Sequence, residues 1–489
     1  MPASAAAGPK LTLQSIIQKD GRAFLRKHPH LAFYKQDALK ELAACRTGAC
    51  GSHLRYCDKC GYEEERPNSC RNRHCPTCGA PRRARWLEKL LPKLFSTSYL
   101  QVVFTLPHQL IPLLSRYPYE LYELLFHTAW ETLQTLAADP QHLGATLGAL
   151  AVLHTWNQEL GPHPHAHFVL PAGGVSLDGQ RWVPCKRRQG QGGQPGGYYL
   201  FPHQVISKLF RGKFLDGLKQ LINSGVIPLD RLPPSWQTLD KVRLRLSELY
   251  GTKWVVYQEA PPAGLEPAAL IKYLARYVSG TAIQDARLVG REGDQISFTV
   301  KNRKTGAREV RSLPVMEFLD RYLLHVLPPG LTRVRYYGFM ASNSSAQREH
   351  AKALCAAAGV SAAGAATALS PAAAPIVTPA APVAPAAEAA VALERGMCPH
   401  CHCETLELIS LFREKSWRVR RRQLVRGPFV RFRDGPAVIV PDDSLIPPGV
   451  GPPPPLVSPA GSPPLRQLTL PFVDLAEAAT AAHWGSDPC

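Results

Sequence analysis

The stretch His163-Pro-His165-Ala-His167 constrains this chain more than any other feature. It continues through Phe168, Val169 and Leu170 into Pro171 and the pair Gly173-Gly174, and reads as the start of a strand. Side chains two positions apart on a strand share a face. His165 and His167 therefore point together at one divalent cation, with His163 on the same face as a further ligand or phosphate contact. Neutral imidazole is the commonest transition-metal ligand, and it also holds Mg2+ or Mn2+ where a phosphate completes the shell. A third ligand is expected. Gln158 is one candidate, because Thr155-Trp-Asn-Gln158 ends the preceding strand, and His154 is another.

About a hundred residues further on, Tyr273-Leu-Ala-Arg-Tyr277 reads as a helix. A spacing of four stacks the two phenols on one side, one turn apart. Taken alone, such a pair is more often an aromatic stripe in a core. Lys272 and Arg276 beside it, and the histidine strand upstream, favour a site instead. A phenoxide is a competent nucleophile and a moderate leaving group, so a tyrosine bond to a phosphate keeps the energy of the broken phosphodiester for rejoining. A cation that withdraws charge from that phosphate completes the equipment for cutting and resealing a DNA strand.

The balance of charge agrees with such a partner. Among 489 residues, 57 Lys+Arg stand against 38 Asp+Glu, a formal charge of +19. That excess favours a polyanion, and nucleic acid first. No run of apolar residues is long enough for a membrane span, so no membrane partner is expected. The first residues, Met-Pro-Ala-Ser-Ala-Ala-Ala-Gly, lack the plan of a secretory signal. The expected location is cytoplasmic, at the nucleoid when the chain is bound to DNA, where the 13 cysteines serve metal rather than disulfides.

Composition divides the chain into four regions: a basic, cysteine-rich segment over 10–95, a folded domain over 96–350, an Ala/Pro-rich linker over 356–396, and a basic, Pro-rich tail over 397–489. Leu100–Thr105, Ala151–Trp156, Lys253–Tyr257, Gln295–Val300 and Thr332–Tyr336 read as strands, and Tyr119–Leu136 as an amphipathic helix. Strands and helices mix without regular alternation. The expected fold class is α+β, an antiparallel sheet with flanking helices.

Cys57-x2-Cys60 and Cys75-x2-Cys78 are paired-cysteine knuckles whose spacing fits one structural, tetrahedral Zn2+ in a zinc-ribbon-like domain. Cys70 and His74 lie in the same stretch and are candidates to replace a thiolate or to serve a second ion, with Cys45, Cys50 and His53 able to complete it. Arg71 and Arg73 beside the knuckles are candidate DNA contacts through phosphate, as are Lys272 and Arg276. Cys398-Pro-His-Cys401-His-Cys403 is a further candidate metal cluster whose remaining ligands would come from elsewhere. The basic run Arg418–Arg426 is a candidate DNA arm.

These motifs, in this order, resemble the two-tyrosine rolling-circle transposases of the IS-ninety-one type, within the HUH endonuclease superfamily. The matching stretches are Asn68–Cys78, Val102–His108, Leu153–Trp156, His163–His167, Tyr273–Val278 and Arg333–Gly338, and they span roughly residues 20 to 350. The resemblance implies an N-terminal zinc-binding domain and a Rep-like HUH catalytic domain. In that reading His165 and His167 are the histidine pair around Ala166, and Tyr273 and Tyr277 are the paired nucleophiles. The expected function is nicking and joining of single-stranded DNA at element ends and target through a 5′-phosphotyrosine, with Mg2+ or Mn2+, and with self-association as a further expectation. A plasmid replication initiator or relaxase of the same superfamily is one alternative. A non-catalytic zinc DNA-binding protein is the other.

Overall fold

The computed structural model describes residues 10–187, 198–259, 281–302, 305–359, 398–403 and 406–412. Tyr273, Tyr277, Lys272 and Arg276 lie outside the described residues, as do residues 360–396 of the linker and the run Arg418–Arg426. The elements that position the site are, in chain order, α1 (Leu13–Lys27), α2 (Phe33–Ala44), β1 (Ser52–Cys57), β2 (Glu63–Pro67), α3 (Pro76–Leu90), β3 (Tyr99–Thr105), α4 (Pro118–Ala138), β4 (Gly148–Trp156), β5 (Pro162–Pro171) and α5 (His203–Asn223). They continue with α6 (Leu239–Gly251), β6 (Val255–Glu259), β7 (Leu288–Glu292), β8 (Gln295–Lys301), β9 (Arg308–Pro314), α7 (Val315–Leu324), β10 (Val334–Gly338), α8 (Ser345–Ala357) and β11 (Leu406–Phe412). Among the described helices, none is long and apolar enough to cross a membrane.

The central sheet has five strands in the order β6-β3-β5-β4-β10, and every neighbouring pair is antiparallel. This is the expected α+β architecture. Each strand expected from the sequence is present within a few residues of its expected bounds, and the helix expected over Tyr119–Leu136 is α4.

Strand alternation gives the sheet two unlike faces. Val102, Phe104, Ala151, Leu153, Ala166, Phe168, Leu170 and Val256 point to one of them and are fully or almost fully buried. Leu121, Leu125, Ala129 and Leu133 of α4, at helical spacing, share their core with Phe210, Phe214 and Leu218 of α5. Burying each such large side chain contributes roughly 1.5–3 kcal/mol, so this face fixes the register of the sheet. The opposite face carries Gln101, His154, His165 and His167.

A second sheet, β7-β8-β9, packs with α7 against the N-terminal helices. Ile16, Ile17 and Phe24 of α1 and Leu39 and Leu42 of α2 share one core with Ile296, Phe298, Phe318 and Leu319. A third sheet, β11-β1-β2, joins the cysteine-rich segment to residues that follow the linker in sequence.

Candidate metal centre and cysteine clusters

The histidine site is assembled from two neighbouring strands. In the β4–β5 ladder His154 lies directly opposite His165, and Val152 opposite His167. Ligand nitrogens of His154, His165 and His167 lie within 4.8 Å of one another. Their ring centroids are 4.6 Å apart for His154–His167, 4.8 Å for His165–His167 and 5.4 Å for His154–His165. Of the third-ligand candidates, His154 joins the pair. The His163 ring lies tilted beside that of His165, with centroids 4.8 Å apart, at the end of the row. Gln158 lies in the turn that follows the strand. Asn157 Oδ1 accepts from the backbone N–H groups of Glu159 and Gly161, which folds residues 157–161 into a tight turn and leaves Gln158 exposed.

The surroundings favour the ligand form of His165 and the neutral form of His167. His165 Nδ1 is 2.6 Å from the carbonyl oxygen of His163, which only accepts, so Nδ1 carries the proton and Nε2 presents its lone pair. The Gln101 side-chain amide lies 2.8 Å from His167 Nδ1. Burial, with His165 and Arg333 close by, holds the His167 pKa well below the ordinary histidine value. A set of neutral imidazoles fits Mn2+ or another borderline divalent ion, and Mg2+ where phosphate oxygens supply the remaining positions.

Two features that motif spacing did not disclose complete the centre. Gln101 is buried on β3 and touches His167 from the next strand. Arg333 donates through Nε to the Leu153 carbonyl and lies over the Trp156 ring at 4.9 Å. Burial, with Arg73 and Arg82 near, lowers its pKa to about 9, so it keeps its charge at neutral pH. Next to the row of histidines, a cleft of about 290 Å³ is lined by Thr105, His108, His163 and Lys253 among others.

Among the described residues, the two cysteine knuckles fall in two separate clusters rather than in the single set expected. Cys75 and Cys78 meet Cys45 and Cys70, whereas Cys57 and Cys60 meet Cys398 and Cys401. The reason is topological. Cys57 and Cys60 flank the end of β1, and Cys75 caps the start of α3, so the knuckles belong to different elements. In the first cluster Cys70 Sγ is 3.7 Å from Cys78 Sγ. Four ligands at a Zn–S distance of about 2.3 Å sit about 3.8 Å apart in a tetrahedron, so the spacing fits zinc. Hydrogen bonding, chiefly from Cys45, holds the Cys75 thiol down at about 7 and the Cys78 thiol lower still.

His74 stays out of this cluster. It is buried, and its Nε2 accepts from the Leu327 N–H at 3.2 Å. Cys50 and His53 also lie outside: Cys50 Sγ contacts the Ala44 carbonyl, and His53 Nδ1 is 3.0 Å from Asn68 Oδ1. Arg73, expected at DNA, turns inward and donates to the carbonyls of Leu327, Leu331 and Pro328. Arg71 is exposed beside it.

An antiparallel sheet covered by helices on one face, with converging imidazoles on the other and a cysteine-based metal module attached, defines a Rep-like HUH domain joined to a zinc-binding domain. Comparison with known proteins takes this further. Residues 148–348 match the family described as "Putative transposase", and residues 16–106 match "Transposase zinc-binding domain". A protein named "Putative transposase y4qJ" from Sinorhizobium fredii is 39% identical over 345 residues, covering 70% of this chain and 83% of the relative. The "Transposase for insertion sequence element IS801" of Pseudomonas savastanoi pv. phaseolicola is 25% identical over 329 residues, covering 64% and 71%. No solved structure matches. The chain belongs to the IS-ninety-one type of insertion-sequence transposases.

Proposed function

We propose that this transposase cuts and rejoins single-stranded DNA at its element ends and target, with a divalent ion held by His154, His165 and His167 and with Tyr273 and Tyr277 as nucleophiles. The observation that carries the reading is the convergence of the three imidazoles on the face of the sheet opposite its apolar core. An ion held there would withdraw charge from the scissile phosphate.

The chain's own residues do the rest. The His163 carbonyl and Gln101 fix the rings of His165 and His167. Arg333 supplies a fixed positive charge close to His167. Thr105, His108, His163 and Lys253 line a cleft next to the histidine row that is open to a nucleotide. One tyrosine oxygen bonds to phosphorus, the bond to the 3′ oxygen breaks, and that oxygen leaves as a 3′-hydroxyl. The product is a 5′-phosphotyrosine, which a later 3′-hydroxyl attacks to reseal the strand and release the phenol. The second tyrosine opens the other end or the target. Arg71, Lys272 and Arg276 are proposed phosphate contacts, and zinc in the cysteine module is structural.

The test is incubation of the full chain with labelled single-stranded element ends and Mn2+ or Mg2+. A covalent protein–DNA adduct is expected from wild type and not from the Tyr273→Phe/Tyr277→Phe double variant. Equal adduct from both, or DNA binding with no adduct from wild type, would reject the scheme. The second outcome would leave a zinc DNA-binding protein.

A further inference from the structure

Cys57 and Cys60 belong to a knuckle with a definite backbone pattern. The Cys57 N–H donates to the Tyr62 carbonyl, the Gly61 N–H donates back to the Cys57 carbonyl, and Gly61 takes φ of +71°. The segment Cys398–Cys403 repeats this pattern residue for residue. The Cys398 N–H donates to the Cys403 carbonyl at 2.8 Å, the His402 N–H donates back to the Cys398 carbonyl at 2.9 Å, and His402 takes φ of +57°. A non-glycine residue in that conformation costs energy and needs surroundings that hold it there.

The two knuckles face one another. Cys60 Sγ lies 3.6 Å from Cys398 Sγ, and Cys57 Sγ lies 3.6 Å from Cys401 Sγ. Both distances sit near the edge of about 3.8 Å expected for four thiolates on one zinc, and far from the S–S bond of about 2.05 Å. Cys57 and Cys398 are both fully buried. The ring of His400 stacks parallel to that of Tyr62, with centroids 6.2 Å apart. Directly beyond, β11 pairs antiparallel with β1, from Cys57 opposite Leu406 to Ser52 opposite Phe412.

We infer that Cys57, Cys60, Cys398 and Cys401 form a second tetrathiolate zinc site, one that clasps the segment after the linker onto the N-terminal zinc-binding domain. The match to that domain ends at residue 106, so half of this site lies far beyond it in sequence. Cys60 and Cys398 are 338 positions apart. Closing so long a loop costs chain entropy, and a metal crosslink offsets most where the loop is longest. Cys403 acts as a reserve ligand, because its Sγ is 3.7 Å from Cys57 Sγ, nearly as close as that of Cys401.

The test compares zinc content across variants of the full chain, measured by elemental analysis and by cobalt substitution with its thiolate charge-transfer band. Cys57→Ser, Cys398→Ser and the Cys57→Ser/Cys398→Ser double variant are each expected to lose the same single equivalent relative to wild type. Cys398→His, which restores a ligand, should regain it, and Cys401→Ser should keep most of it unless Cys403→Ser is added. The cobalt band should fall in the serine variants by the share of one tetrathiolate site. A double variant losing twice what either single loses would mean separate sites and overturn the inference. So would a Cys398→Ser protein with full zinc, or a wild-type mass two hydrogens short on account of a disulfide. Because the readout is metal content, the result stands whether or not the tyrosine chemistry proposed above is correct.

Discussion

Gln101 and His325 lie beside the histidine trio and are tied to its neighbourhood by hydrogen bonds. Gln101 Nε2 lies 2.8 Å from His167 Nδ1; with the side-chain amide turned so that its oxygen accepts from Nδ1–H, Gln101 holds that ring with its Nε2 free for the cation. Gln101→Leu is expected to weaken Mn2+ binding roughly ten- to hundred-fold, with Gln101→Glu recovering much of it. Electron paramagnetic resonance titration of free Mn2+ checks this, and unchanged affinity in the leucine variant would remove Gln101 from the centre. His325 lies behind the site, with Nε2–H donating to the Leu160 carbonyl and Nδ1 facing the Thr155 hydroxyl. Burial, with Lys35 nearby, lowers its pKa to about 4. The folded state thus binds fewer protons than the unfolded chain between about pH 6.5 and 4, and stability falls with pH across that window. This group accounts for about 3 kcal/mol of the loss. His325→Gln keeps a donor and an acceptor without the titration, so its urea midpoints should fall less steeply with acid than those of wild type. Identical slopes would refute the assignment.

Strands were legible in the sequence because alternation is local, whereas their pairing was not. The row His163, His165, His167 could be read from spacing alone. That His154 completes the trio depends on the β4–β5 register, which puts it opposite His165 and is set by packing of Ala151, Leu153, Ala166 and Phe168 on the far face. Gln158 stood as near in sequence, but it sits exposed in the turn held by Asn157. The knuckles and the candidate cysteines around them were visible, yet which knuckle each would join was not, since Cys45 and Cys398 reach them only through the fold. The motif Arg333–Gly338 was likewise visible without its cause. Gly338 ends β10 opposite Gly148 with φ of +55°, and a Cβ there would meet the Leu147 carbonyl oxygen at 1.8 Å. Gly338→Ala is therefore expected to destabilise the protein by more than about 2 kcal/mol through strain and clash together. Thermal unfolding with unchanged zinc content would confirm a local defect in the sheet edge. A melting temperature equal to wild type would show that the strand end can shift at no cost.

At the scale of the whole molecule, the basic excess includes charges that brace the fold and exposed charges that we propose meet DNA. Arg73 shows the first kind, although its place beside the knuckles suggested the second. Its guanidinium donates to the carbonyls of Leu327, Pro328 and Leu331, tying the cysteine module to the loop between α7 and β10. His74 adds the Leu327 N–H to the same seam, and Tyr322 Oη donates to the His74 carbonyl at 2.7 Å. That loop leads straight into Arg333, so the seam links the zinc module to the histidine centre. Arg71 and Arg82 are the candidates for the second kind: both side chains are exposed, although Arg82 also reaches the Arg71 carbonyl. Neutralising a phosphate contact lowers the salt dependence of DNA affinity by about one counterion, whereas removing an internal brace does not. Arg71→Ala should thus lower the slope of log affinity against log salt by about one with little change in melting temperature. Arg73→Ala should leave that slope as it is and lower stability by about 1–3 kcal/mol, because it strands part-buried carbonyls that a charged donor had satisfied. Fluorescence anisotropy on single-stranded DNA across a salt series, run beside thermal unfolding, separates the two. A reduced slope with unchanged stability in Arg73→Ala would return that residue to the DNA surface and dissolve the seam.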